Sequence, residues 1–439
     1  MHQTGHICPN CCLIDCAVTV ASHRQETLYP SHGGLTISKS TVSYLWREPQ
    51  AARDFATGVS LHSHTSQSRE TLNFIADLTD EMPMVKRLID WAERRCVRYS
   101  GIKPDYEASF WTPPLNPRQA FELERNQIEN TFQISGLVSI TDHDDISAPM
   151  LLRTIPSARH IPVSTEWSIP YANESVARNP RPTAFHLGIH NLPSADATYW
   201  IARLNAFTDM PLAARPASLL HEILAELDSI PNVLIVFNHP VWDLYQIGQA
   251  AHEVLVNDFL ARHGQFVHAL ELNGLRNWAE NQRVHNLARQ WNQLVISGGD
   301  RHGIEPNANI NLTQAGSFSE FVNEVRRERV SNVLFMPQYR QPWKHRILQS
   351  TLDAIRNYPN FPENSQRWDQ RVFAPNRDGE LRPLSDLWAA GESGGKVPIY
   401  LAMLLGSVRL MGRAPVSGGL RLAWNDRTQM RAALIHQDA

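Results

Sequence analysis

GVSLHSHTSQSRE, residues 58–70, sets a short apolar run before two histidines one residue apart and then a cluster of hydroxyls. Read as a strand, the run sends residues two apart to the same face. His62 and His64 then converge on one point, which is what a metal ion requires of its ligands. The same pattern recurs along the chain. Apolar runs of strand length follow at 136–143 (GLVSITDH), 161–167 (IPVSTEW), 183–190 (TAFHLGIH), 232–240 (NVLIVFNHP), 268–274 (HALELNG) and 293–300 (QLVISGGD). Segments 117–130, 217–227 and 279–291 between them have apolar residues at helical spacing and good helix formers. Asn116 and Pro117 suit the N-cap and first position of a helix. Strands alternating with helices predict parallel β/α units, and seven of them point to a barrel more than to an open sheet.

The runs deliver similar chemistry. Asp142, His143, Asp144 and Asp145 close the second, Glu166 the third, and His186 and His190 the fourth. His239 follows the fifth, and Asp300 and His302 the last. In a parallel barrel all strand C-termini open on one face. A lone histidine on a strand is more often a core residue than a ligand. Ligand-type residues on six strands are another matter, because burying them costs too much unless they hold metal or each other.

The order H-x-H, T-D-H-D, strand Glu, H-x-G, N-H-P and G-G-D-x-H, over about residues 58–303, resembles the PHP (polymerase and histidinol phosphatase) family. The resemblance implies an α/β fold, a distorted seven-stranded (β/α) TIM-like barrel, that holds two or three divalent ions (Zn, Mn or Fe) and hydrolyses phosphoesters. It also implies that His62, His64, Glu166 and Asp300 bind one ion. Glu166, His186 and His239 would bind a second, and His143 and His302 a third. Asp142 would orient a histidine.

Two departures stand out. Ser60 occupies a place the family usually gives to an acidic residue, and Arg69 one it gives to a ligand of the third ion. Arginine has no lone pair to give. Glu70 takes over after a one-residue shift, or Arg69 grips the substrate phosphate, or Arg69 pairs with Asp144 or Asp145. His186 is favoured over His190 as ligand by its H-L-G setting. Arg301 is a second candidate phosphate contact, unless strand alternation turns it away from Asp300.

The boundaries read as an irregular segment 1–54, a metal-dependent domain 55–332 with a helical insertion at 73–114, and a mainly helical C-terminal extension 333–439. Trp91, Tyr106, Phe110 and Trp111 of the insertion could form a lid over a nucleobase or sugar, although packing on the barrel is the stronger expectation. VPIYLAMLLGSVRLMG (397–412) reads as a buried helix, too short for a bilayer, and SGGLRLAW (417–424) as a possible strand. Cys8 and Cys11 have metal-knot spacing without the usual second pair. A loose tail or an over-extended start is the plainer reading. The net charge of −3 over 439 residues gives no support to a nucleic-acid partner, and the mean hydropathy of −0.34 fits a soluble chain. No signal peptide is visible, so the expected place is the cytoplasm and the expected partner a small phosphorylated substrate. Two other functions remain open: hydrolysis of a non-phosphate bond by the same metals, and a degenerate domain whose metal is structural and whose role is binding.

Overall fold

The structure is a computed structural model that describes residues 39–72, 83–100, 105–106, 108–172, 183–305, 307–355, 367–376, 378–390 and 399–411. The cysteine cluster and SGGLRLAW lie outside them. The fold is mixed α/β. One five-stranded sheet runs in the order β1 (Lys39–Tyr44), β12 (Val330–Phe335), β11 (Asn309–Thr313), β2 (Thr57–Ser60), β5 (Ser135–Val138). A second runs β10 (Leu294–Gly298), β9 (Ala269–Asn273), β8 (Leu234–Asn238), β7 (Thr183–Leu192), β6 (Val163–Tyr171). A small third sheet joins β14 (Leu381–Pro383), β13 (Val372–Pro375), β4 (Phe110–Trp111) and β3 (Glu70–Thr71).

All seven runs that the sequence offered as strands are strands, namely β2 and β5 to β10. The helix at Pro117–Phe132 starts as expected: Asn116 accepts from the backbone of Gln119, and Gln119 returns a bond to the cap. The closed barrel is not present as a continuous ladder. The strands divide between two sheets that meet at two seams. At one, the backbone N–H groups of Val295 and Ser297 donate to the side chains of Ser40 and Asn311. At the other, Glu166 N donates to Asp142 O and Asp144 N to Glu166 O.

The expectation of uniformly parallel units also fails. β6 pairs antiparallel with β7, and β7 antiparallel with β8. Two helices, Ala197–Thr208 and Leu219–Ser229, separate β7 from β8. β8 returns against β7 after both.

The strands enclose an inner apolar core. Val59 and Leu61 from one side meet Leu234, Val236, Ala269, Leu294 and Ile296 from the other, and Phe318, Phe321 and Val322 close it. Alternate residues, such as Ile235, Phe237 and Val295, face an outer core packed by helices. Alternation along short buried strands fills both layers.

The flanking regions depart from expectation. Residues 39–44, inside the segment read as irregular, form β1 and pair parallel with β12. Helix Ile399–Met411 is not buried: Ile399 is 77% and Met403 57% exposed. The extension also reaches the middle of the fold. On helix Trp343–Ala354, Trp343 Nε1 donates to Leu275 O at 2.8 Å, and Arg346 donates to Gly274 O and Arg276 O. No helix among the described residues is long and apolar enough to cross a membrane.

Gly58 is a close approach, since a Cβ there would lie 2.7 Å from Ile128 Cγ2. We expect Gly58→Ala to destabilise the protein by about 1–3 kcal/mol through overpacking, read from the denaturant midpoint.

Candidate metal centre

The eight donors reach the centre from six strands. His62 and His64 follow β2, His143 follows β5, His239 follows β8, and Asp300 and His302 follow β10. Glu166 and His186 lie inside β6 and β7. Because β7 runs against its neighbours, its beginning lies at the centre. His186 therefore pairs with Asn238, and His190 opposite Leu234 sits a full strand repeat deeper. That places His186 among the donors. His190 Nδ1 lies 2.9 Å from Ser139 Oγ instead.

Glu166 sits between two groups of imidazoles. Its Oε2 is 2.9 Å from His62 Nε2, 3.3 Å from His64 Nε2 and 3.4 Å from His143 Nε2. Its Oε1 is 3.1 Å from His239 Nε2 and 3.4 Å from His186 Nδ1. Asp300 Oδ1 lies 3.5 Å from His64 Nε2 and 3.6 Å from His302 Nδ1. Four overlapping triads have donor atoms close enough for a shared ion: His62–His64–Glu166, His64–Glu70–His143, His64–Asp300–His302 and His143–Glu166–His186.

Glu70, not Arg69, takes part. Glu70 Oε2 is 3.1 Å from His302 Nε2 and 3.4 Å from His143 Nε2. The exposed Arg69 places its guanidinium 5.2 Å from the centre of the Phe110 ring. Glu70 is held on the inner side by its pairing with Trp111 in β3–β4, whereas Arg69 lies just before that strand. Arg301 is also corrected. It is buried, its Nε is paired with Glu124, and its other nitrogens donate to Gly303 O and Ala120 O. The same Glu124 accepts from Ser60 Oγ and from Asn307, so Ser60 belongs to a buried network under the centre. Arg301 thus anchors the loop that carries Asp300 and His302 and does not face a substrate. Asp142 binds no imidazole. It accepts from Thr65 N at 2.6 Å and Thr65 Oγ1 at 2.7 Å, fixing the turn after His64.

Three residues went unnoticed in the sequence. Glu271 Oε1 is 2.5 Å from His62 Nδ1, and its Oε2 accepts from His239 N at 2.7 Å. Asn273 Nδ2 donates to Glu271 and, at 3.1 Å, to Asp300 Oδ2. Asn238 Nδ2 donates to Glu166 Oε1 at 3.0 Å. Such partners aim the groups they touch. The carboxylate in "ALELN" was the available signal, since an acidic residue on a buried strand needs a partner.

Electrostatics follow from the crowding. Burial opposes charge on His62, but Glu166, Glu271 and Asp300 outweigh it and hold its pKa well above the usual range. Against the same burial penalty, carboxylates raise His143 to about 10 and His302 to about 9. Burial, with His302 and His143, presses His64 down to about 4. Glu70, Glu166 and Asp300 stay ionised despite burial because imidazoles surround them. Protons thus collect where the carboxylates call for positive charge, and a cation competes for the same nitrogens. Three residues at the centre are strained: Asp144 and Asp300 have φ of 52°, and His239 of 29°.

The donors open into a cavity of about 540 Å³. Trp111 of the insertion lines it, its ring 5.9 Å from that of His302. Phe110 stacks on Phe373 and Tyr106 bonds Glu93, so these two pack and form no lid. The far wall is Trp242, Arg276, Arg283 and helix Trp343–Ala354.

No protein-family model matches the sequence, and no curated protein is similar to it. Three solved structures, each 14% identical, are weakly similar. One is an amidohydrolase from Chromobacterium violaceum with bound sulfate and no metal (TM-score 0.27, 44% of this chain and 84% of that one). Another is PsfC from Pseudomonas syringae (0.33, 53% and 88%). The third is a candidate metal-dependent phosphoesterase from Bifidobacterium adolescentis (0.29, 48% and 91%). Scores this low leave the chemistry to be judged on this chain's own residues.

Two expectations follow. A Cβ at Gly298 would lie 1.5 Å from Glu271 Oε1, so Gly298→Ala must push Glu271 off His62. Metal affinity, measured by chelator competition, should fall about 10–100-fold. Burial, with His62 nearby, pushes the pKa of His190 down to about 3, against about 6.5 in the unfolded chain. The folded state keeps His190 neutral, so the unfolded chain takes up its proton first as pH falls. That contribution is whole above about pH 6.5 and is lost towards pH 3, by up to about 1.4 kcal/mol per pH unit. Urea midpoints between pH 7 and 5 should fall less steeply in His190→Asn than in the wild type.

Proposed function

We propose that this protein is a metal-dependent hydrolase of the PHP type that cleaves a phosphoester of a small metabolite or nucleotide. On this reading the two sheets are the halves of a distorted barrel. The observation that carries it is Glu166, whose two oxygens each face their own group of imidazoles, with Asp300 and Glu70 completing the ring.

The donor set fits divalent ions. His62 Nε2 and His64 Nε2 lie 3.0 Å apart, and two imidazole lone pairs at that distance call for a cation or a proton between them. His186 Nδ1 is buried 3.4 Å from Glu166 Oε1 and makes no well-formed hydrogen bond to a described residue, which costs free energy unless something binds it. Histidine with carboxylate suits zinc, manganese or iron. His62, His64, Glu166 and Asp300 would hold one ion, and Glu166, His186 and His239 a second. His143 and His302, with Glu70 one residue beyond the position that Arg69 cannot fill, would hold a third. Bound there, such ions supply Lewis acidity towards water and a phosphoryl oxygen. The chain's own part is placement. Glu271 keeps His62 with Nε2 inward, Asn238 and Asn273 aim Glu166 and Asp300, and the Arg301–Glu124 pair holds the last loop.

Elemental analysis of protein purified without chelator should find two or three ions per chain. The same preparation should hydrolyse phenyl phosphate with added Mn²⁺ or Zn²⁺, and Glu166→Gln should lower both metal content and, by at least about 100-fold, kcat. One ion or none, with no hydrolysis after metal addition, would sink the reading.

A further inference from the structure

The cavity extends well beyond the donors, and its far wall has a chemistry of its own. Trp242 carries the wall outwards from the centre, its ring 5.0 Å from that of His239. The guanidinium of Arg276 lies 4.6 Å from the Trp242 ring and 6.0 Å from that of Trp343. It is therefore no more than about 10 Å from the His239 ring.

Arg276 is poorly used for a side chain only 14% exposed. Its Nε donates to Glu280 Oε2 at 2.7 Å, and no described residue accepts from its two terminal nitrogens. Arg276 lines the cavity. Arg283 and Lys344 line the same wall, against two carboxylates, Asp243 and Glu280. Both carboxylates are already occupied. Asp243 accepts from Ile247 N and Gly248 N, and Glu280 from Arg276 and Asn277. The wall thus carries the planar fork of Arg276, framed by two indole rings. A guanidinium fork recognises carboxylate or phosphate with two parallel bonds, and indole faces accept a flat apolar body.

We propose that Arg276, backed by Trp242 and Trp343 and joined by Arg283 and Lys344, binds a second anionic group on the substrate. The substrate is then a phosphoester whose leaving group has a flat apolar body ending in a carboxylate or a second phosphate. This rests on the phosphoester reading for the first group and adds the identity of the second.

The test uses ligands that are not hydrolysed. The full-length, Mn²⁺-loaded protein is titrated calorimetrically with phenylphosphonate, 4-carboxyphenylphosphonate and 1,4-phenylenebisphosphonate. At least one doubly anionic ligand should bind about 10-fold or more tightly than phenylphosphonate. Which one does so separates a carboxylate from a phosphate as the natural group. Arg276→Lys keeps a partner for Glu280 but loses the fork, and should cut that preference at least fivefold. Arg283→Gln, on a half-exposed helix position, should cut it as well. Equal binding of all three ligands, no binding of any, or a preference unchanged in both variants would overturn the proposal. Phenyl phosphate hydrolysis is read in the same preparations. Its absence beside an intact binding preference would remove the hydrolase reading and leave the anion subsite standing.

Discussion

One buried carboxylate, Glu166, lies within about 3.4 Å of five imidazoles. It is only 1% exposed, so its charge must be met by neighbours held in place. Those neighbours come from the ends or interiors of β2, β5, β7 and β8. The inner apolar core beneath them is built mainly from β2, β8, β9 and β10. The hydrophobic packing that fixes the strands therefore also fixes the nitrogens, and a shift in one sheet would break both.

Support for the donors lies one layer behind them. Glu271 spans His62 and the backbone of His239, and Asn273 links Glu271 to Asp300. Gly298 is glycine because Glu271 fills the space a side chain would need. Arg301 and Glu124 form a buried pair under the β10 loop. Breaking such a pair from one side typically costs about 3–5 kcal/mol. A charge that reads as a substrate contact in the sequence thus serves the architecture, and the charges that face the cavity stand elsewhere, on Arg276, Arg283 and Lys344.

The chain after residue 333 is part of this construction. Trp343, Arg346 and Tyr339 grip the carbonyls of Gly274, Leu275 and Arg276. That loop leaves β9 directly after Glu271 and Asn273. Helix Trp343–Ala354 consequently does two things: it holds the loop behind the donors and provides the outer wall of the cavity.

Local pattern alone determined the seven strands and the capped helix at Asn116, and the family resemblance singled out His62, His64, His143, Glu166, His186, His239, Asp300 and His302, side chains that the structure brings together. Each is a short-range signal: an apolar run, a cap, a ligand-type residue beside a strand. Strand direction was not of that kind. Antiparallel β6, β7 and β8 arise from how intervening segments reverse the chain, and this decided between His186 and His190. Partners at long range were equally hidden. Arg301 finds Glu124 across 177 positions and His62 finds Glu271 across 209, and no spacing rule reaches that far. Glu70 faces the imidazoles while Arg69 lies against the Phe110 ring, an outcome of tertiary contacts that residue type alone does not reveal. Residue type and local periodicity set which groups were available for chemistry, while chain reversal and long-range pairing decided which of them face the same point.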